Sequence, residues 1–127
     1  MPRTPIQTER APAAIGPYSQ ATRAGSMVFL SGQIPLDPAT GEVVPGGIEE
    51  QARRAFDNLK AVAEAAGGSL ADVVRLGLYL TDLSQFAAVN AVMAGYFEAP
   101  YPARSTIEVS ALPKGVLFEV DAIMVTG

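Results

Sequence analysis

The sequence predicts an α+β fold, a single sheet with two helices packed on one of its faces. Three observations carry this expectation. The chain has 127 residues, 49% of them hydrophobic and 17% charged, which suits one compact domain over residues 1–127 with a real core. Residues 48–66 repeat apolar side chains at steps of three and four, the period of one helix face. The segments around them alternate at the period of strands, in the order strand, strand, helix, strand, helix, strand, strand.

Taken in order, Tyr18 to Arg23 reads as a first strand, Ala24-Gly25-Ser26 as a turn and Met27-Val28-Phe29-Leu30 as its hairpin partner, with Ser31-Gly32-Gln33 breaking the apolar run. Asp37-Pro38 and Thr40-Gly41 make residues 35–47 a loop with tight turns. The first helix presents Ile48, Ala52, Ala55, Phe56, Leu59, Val62, Ala63 and Ala66 on one face. Glu49 and Glu50 suit the positive end of its dipole, and Gly67-Gly68 stops it. Val73 to Leu80 is a strand. A second helix is expected from about Leu83 to Phe97, with Phe86, Val89, Met93 and Phe97 on one face and Asp82 or Ser84 as cap. Pro100 and Pro102 end that region. Arg104 to Ser110 alternates, Ser105, Ile107 and Val109 opposing Arg104, Thr106 and Glu108, and residues 116–126 form a last strand.

Two helices cover only one face of such a sheet, yet the strands are apolar on both. Val74, Leu76, Leu78 and Leu80 alternate with Val73 and Tyr79, and Phe118, Val120, Ala122 and Met124 alternate with Leu117, Ile123 and Val125. An apolar sheet face left in water marks an interface. The expectation is a homo-oligomer that buries it, driven by about 25 cal/mol per Å².

Composition removes much chemistry in advance. The chain has no Cys, no His and no Trp, so thiolate nucleophiles, Cys/His zinc sites, Ser-His-Asp triads and imidazole acid–base catalysis are out of reach. Nine Lys plus Arg against thirteen Asp plus Glu give a net charge of −4 and a pI near 4.7, a poor footprint for neutralising phosphates. The first ten residues lack an apolar signal core and no stretch is long and apolar enough for a bilayer, so a soluble cytoplasmic protein is the default.

Few polar groups interrupt the apolar pattern. Arg104 begins a strand, and Glu119 lies inside the most hydrophobic strand, with Asp121 two residues on and on the same face. One reading sends Glu119 and Asp121 to solvent from an edge strand and makes Arg104 a surface charge. The other makes a site for a small carboxylic acid: Arg offers a planar fork of donors, and a half-buried Glu can pass a proton near neutral pH. Burial would raise the pKa of Glu119 and a nearby Arg104 would lower it, which leaves its resting state open. Tyr18, Ser19 and the Ser31-Gly32 break could add a ring, hydroxyls and free backbone N–H groups, although such features are more often a pocket rim or a bulge. Gly46-Gly47 lacks any phosphate-loop pattern and precedes two glutamates, so it reads as a helix start. The acidic residues form no metal-ligand cluster, and Met27, Met93 and Met124 read as packing residues.

The segments A-P-A-A-I-G-P-Y-S-Q from Ala11 to Gln20, S-G-Q-I-P from Ser31 to Pro35, Gln51-Ala52-Arg53 through Asn58-Leu59, and Y-P-A-R-S from Tyr101 to Ser105, followed by Leu112-Pro113 and Phe118-Glu119-Val120, closely resemble the Rid family (YjgF/RidA), the reactive-intermediate imine deaminases. The likeness runs from about residue 8 to 126. It implies a chorismate-mutase-like fold with a mixed sheet, assembled as a homotrimer whose sheets pack into a central barrel, with sites in clefts between subunits. The family's carboxylate-binding Arg falls on Arg104, its water- or proton-handling Glu on Glu119 and its substrate-facing Tyr on Tyr18. Its Ser-Gly loop falls on Ser31 and Gly32, and a family Asn on Asn90. Where the family often has Cys, this chain has Thr106, a position that serves chiefly through its main chain.

The resemblance implies hydrolysis of 2-imino acids, derived from enamines such as 2-aminoacrylate, to 2-oxo acids and ammonia, with no metal or cofactor. Two other readings stand beside it. One is a non-catalytic trimer that binds small carboxylates or partner proteins. The other is the ribonuclease or translation-inhibitor role also ascribed to the family, against which the acidic pI and missing His count, but for which Arg53, Arg54 and Arg75 could form a basic patch.

Overall fold

Strand alternation and helical period are both realised in the computed structural model, which describes residues 2–127. Eight principal elements follow one another: β1 (Thr4–Ile6), β2 (Ala21–Ala24), β3 (Met27–Gln33), α1 (Ile48–Ala65), β4 (Val73–Leu80), α2 (Phe86–Met93), β5 (Ala103–Glu108) and β6 (Phe118–Val125). The strands form one six-stranded sheet in the order β1-β2-β3-β6-β4-β5. All pairings are antiparallel except β4 with β5, which run parallel because α2 makes the crossover between them.

α1 is the helix its periodicity foretells. Ala52, Ala55, Phe56, Leu59, Val62 and Ala63 are all buried, and the helix packs on β3 and β6 while α2 packs on α1. Phe56 joins the layers. Its ring centroid lies 5.5 Å from that of Phe118 on β6, 5.3 Å from Tyr96 and 6.1 Å from Phe97. Gly67, at φ 90°, supplies the left-handed turn that ends the helix.

The second helix is shorter than its pattern. Asp82 accepts a hydrogen bond from the Ser84 backbone N–H at 2.9 Å and opens a 3-10 turn, Leu83–Gln85, so that α2 proper runs only from Phe86 to Met93. Phe97 lies beyond it but stays buried. Tyr18 to Gln20 are not strand, and the hairpin pairs Ala24 with Met27 across Gly25-Ser26. β3 continues through Ser31-Gly32 to Gln33 instead of stopping at Leu30, at the cost of a shift in its register with β6 between Leu30 and Gln33. β1 has no counterpart in the pattern reading, because three residues are too few to show a period.

The helix-covered face carries Val28, Leu30, Leu76, Leu78, Leu80, Phe118, Val120 and Met124, all buried. A bulge between Val73 and Arg75 puts Val73 on that face and leaves Val74 exposed, the reverse of simple alternation. Among the described residues no helix covers the other face. Met27, Phe29, Ile107 and Val125 lie there 39% to 46% exposed, together with the half-buried Ile123.

Candidate functional site

Glu119 sits at the sheet's uncovered face. Its register partner across β4 is Tyr79, and Asp121, opposite Gly77, shares that face. A Cβ at Gly77 would lie 2.6 Å from the Tyr79 Oη and overlap Asp121, so the bare backbone there leaves room for this pair. The Tyr79 hydroxyl donates to Asp121 Oδ2 at 3.0 Å, and burial, followed by that hydrogen bond and then the Asp121 charge, pushes its phenol up. Glu119 is half-buried. Burial first, then the nearby Asp121 charge, raises its carboxyl above the ordinary glutamate value.

The bulged end of β3 packs on this carboxyl. A Cβ at Gly32 would overlap Glu119 Oε2 and approach its Cδ to 3.0 Å, so the missing side chain is what lets the backbone come so close. Ser31 donates its hydroxyl to the Ser19 carbonyl at 2.6 Å, and the Tyr18 hydroxyl accepts from the Ile15 N–H at 3.4 Å. Together Tyr18, Ser31, Gly32 and Glu119 line a cavity of about 590 Å³, with Ile15 and Lys114 at its sides. The structure therefore brings together four of the expected site residues.

Their surroundings are set by buried amides whose roles the pattern reading left unassigned. Gln20 donates to the Ala11 and Pro12 carbonyls, the latter at 2.8 Å, and accepts from the Thr8 N–H at 2.7 Å, which fixes the segment before Tyr18. Asn58 of α1, fully buried, donates to the Ile34 and Leu36 carbonyls at 3.2 and 2.9 Å and pins the cavity's other wall. Gln51 accepts from the Leu117 N–H at 2.8 Å, just before β6.

Arg104 stands elsewhere. β5 pairs Arg104 with Leu76 and Thr106 with Leu78, so both side chains belong to the helix-covered face. There the Arg104 Nη1 donates to Asn90 Oδ1 at 2.7 Å and to Met93 Sδ at 3.3 Å, and its Cζ lies 5.1 Å from the centroid of the Phe86 ring. Among the described residues no carboxylate pairs with it. A second cavity of about 320 Å³ opens beside it, lined by Asn90, Met93, Tyr101, Pro102 and Arg104. Met93 thus touches the guanidinium as well as the core, and Asn90 already spends its oxygen on Arg104. Thr106 is half-buried and lines neither cavity.

Within one chain, then, Arg104 and Glu119 occupy opposite faces of the sheet and never meet. This answers the opposing influences on Glu119: burial and Asp121 act on it, while Arg104 does not. Nor do Arg53, Arg54 and Arg75 converge. The first two lie on α1, 3.9 Å from Glu49 and 3.1 Å from Asn58, whereas Arg75 lies on the uncovered face, its Nη2 donating to Ser105.

A family profile described as Endoribonuclease L-PSP matches residues 8–126. A RutC family protein of Pyrococcus horikoshii, PH0854, is 54% identical over 118 residues, covering 93% of this chain and 94% of that one. A 2-iminobutanoate/2-iminopropanoate deaminase of Dermatophagoides farinae is 45% identical over 124 residues, covering 98% of this chain and 97% of its own. The crystal structure of Escherichia coli TdcF with bound serine superposes with a TM-score of 0.93 at 46% identity, over 98% of this chain and 99% of that one.

Proposed function

The chain belongs to the Endoribonuclease L-PSP family, that of YjgF and RidA, which includes reactive intermediate deaminases, and from that membership we propose that it hydrolyses 2-imino acids such as 2-iminopropanoate and 2-iminobutanoate to 2-oxo acids and ammonia in the cytoplasm. The observation that carries this reading is the pair of groups held in readiness. Arg104 is a guanidinium fixed beside a cavity with no carboxylate of its own, and Glu119 is a half-buried acid pressed against Gly32 in another. Because the two lie on opposite faces, a complete site takes Arg104 from one copy and Glu119, Tyr18, Ser31 and Gly32 from the next. The uncovered apolar face around Phe29, Ile107 and Val125 supports such an assembly, and the resemblance to the Rid family implies that it is a ring of three.

In this mechanism the Arg104 fork holds the substrate carboxylate by two charge-assisted hydrogen bonds and fixes the imine carbon. Protonated Glu119 gives its proton to the imine nitrogen, which makes the carbon a stronger electrophile. Water then adds to that carbon and returns a proton to Glu119, leaving a carbinolamine. A second transfer from Glu119 to nitrogen expels ammonia as the hydroxyl oxygen becomes the new carbonyl and surrenders its proton to Glu119. Hydroxyl and backbone groups of Ser31 and Gly32 lie where they can order the water. An imine hydrolyses unaided, so orientation and one well-placed acid suffice.

The test couples a threonine or serine dehydratase to this protein and follows imine loss in the presence of semicarbazide. Wild-type protein speeds formation of the 2-oxo acid and Arg104→Ala does not. Equal rates with and without the protein, or an Arg104→Ala variant as fast as wild type, would overturn the reading.

A further inference from the structure

The side chain of Arg104 is long, flexible and charged, yet its guanidinium has three neighbours on α2 within reach of one another. Phe86, Asn90 and Met93 fall at steps of four and three, so one helical face presents all three to β5. Asn90 and Met93 both accept from the same nitrogen, Nη1, at 2.7 and 3.3 Å. Among the described residues the Nε and Nη2 edge has no hydrogen-bond partner. The Cζ of the group lies over the Phe86 ring, 5.1 Å from its centroid. These contacts act on different parts of the group: Asn90 and Met93 hold the Nη1 corner, and the ring sits under the central carbon.

We infer that Phe86 is a positioning residue for Arg104, holding the guanidinium plane by its π face so that the Nε–Nη2 edge is presented, pre-aligned, to the carboxylate of the ligand. This rests on the reading of Arg104 as the carboxylate clamp. A bidentate fork demands that the plane be right as well as the distance. A cation over an aromatic face is held electrostatically by the ring quadrupole, a hold that strengthens with desolvation. A purely packing role for Phe86 would depend on its volume; this role depends on its electrons.

The experiment measures binding of 2-oxobutanoate by calorimetry and, separately, steady-state hydrolysis of the dehydratase-generated imine. The proteins are wild type, Phe86→Leu, Phe86→Tyr and a chain carrying pentafluorophenylalanine at position 86, which keeps the ring's shape and reverses its quadrupole. Phe86→Leu and the fluorinated chain are expected to weaken 2-oxobutanoate binding about tenfold and to raise KM by a similar factor. kcat should change far less, because the clamp acts alike on bound substrate and transition state. Phe86→Tyr restores the wild-type values. Binding of 2-oxobutanamide, which lacks the charge, stays unaffected throughout. If the fluorinated chain binds 2-oxobutanoate as tightly as wild type, the inference falls. It falls equally if amide and acid weaken together. Should wild type bind 2-oxobutanoate in a Phe86-dependent way yet hydrolyse no imine, the deaminase reading fails and the positioning role stands.

Discussion

Mixing two dead variants should produce a live enzyme. Arg104→Ala removes the clamp and Glu119→Gln removes the transferable proton, and each is expected to lower kcat/KM at least about 100-fold. Arg104 lies on the helix-covered face and Glu119 on the uncovered one, so under the proposed function each complete site would draw one of them from each of two copies. In a ring built from equal amounts of the two variants, each site has a one-in-two chance of an intact Arg104 and, independently, one in two of an intact Glu119. Over all rings about one site in four is then fully wild type; a ring of three that carries both variants has one such site in three, so specific activity in those particles should recover to roughly a third of normal. The assay is to co-refold the two chains under separate tags, select particles bearing both, and follow dehydratase-coupled imine loss. Activity no greater than the sum of the two parents would refute the reasoning, because it would mean that Arg104 and Glu119 serve the same reaction from within one chain or not at all.

Gly32→Ala forces the Glu119 carboxyl to swing aside by roughly 1 Å, a misplacement that costs on the order of 100-fold in rate; since the displaced group is the tip of a flexible side chain, the melting temperature should move by only a few degrees, and an unchanged rate would show that the approach of β3 to Glu119 is incidental. Asp121→Asn removes the second of the two causes that raise the Glu119 pKa, so the alkaline limb of kcat/KM, where the acid loses its proton, moves to lower pH. The same shift has a stability side: a raised carboxyl contributes fully below its unfolded pKa and that contribution is lost as pH rises through the folded value, so wild type should lose stability as pH rises above the ordinary glutamate range and Glu119→Gln should flatten that fall, as read by denaturant titration. Asn58→Leu strands the Ile34 and Leu36 carbonyls and is expected to destabilise the fold by about 2–3 kcal/mol in urea unfolding; a loss below about 0.5 kcal/mol would show that the loop satisfies those groups by other means.

What was legible in the sequence follows from how local the deciding physics is. α1 was readable because eighteen residues carry many repeats of one period and a glycine stop. Arg104, Glu119 and Tyr18 stood out as polar groups in apolar or motif-bearing surroundings. Alternation even divided β5 correctly, Ser105 and Ile107 against Arg104 and Thr106. It did not say which half turns toward the helices, since that depends on the register of β5 with β4, a partner some thirty residues away. The usual expectation puts the charged half outward. Here β5 is the sheet's edge, where α2 can meet a charge with an amide, a thioether and a ring instead of a dry core. Val74 changed sides for a comparable reason: a one-residue bulge inverts every face before it, and no period survives an insertion. Gln20, Gln51 and Asn58 were hidden because an amide among polar neighbours looks like surface until the carbonyls it serves are folded around it.

Phe56 has a consequence for motion. Its ring touches Phe118, the residue before Glu119, and also Tyr96 and Phe97, which follow the helix that holds Arg104. The strand bearing the acid and the helix steadying the clamp are therefore fastened to one buried hub, and neither can fray without disturbing the other. Their backbone amides should exchange with deuterium together, at the rate of global opening, while those around Tyr18, held outside any strand, exchange far sooner. A ligand held as proposed, between two copies, would meet a stiff wall from each.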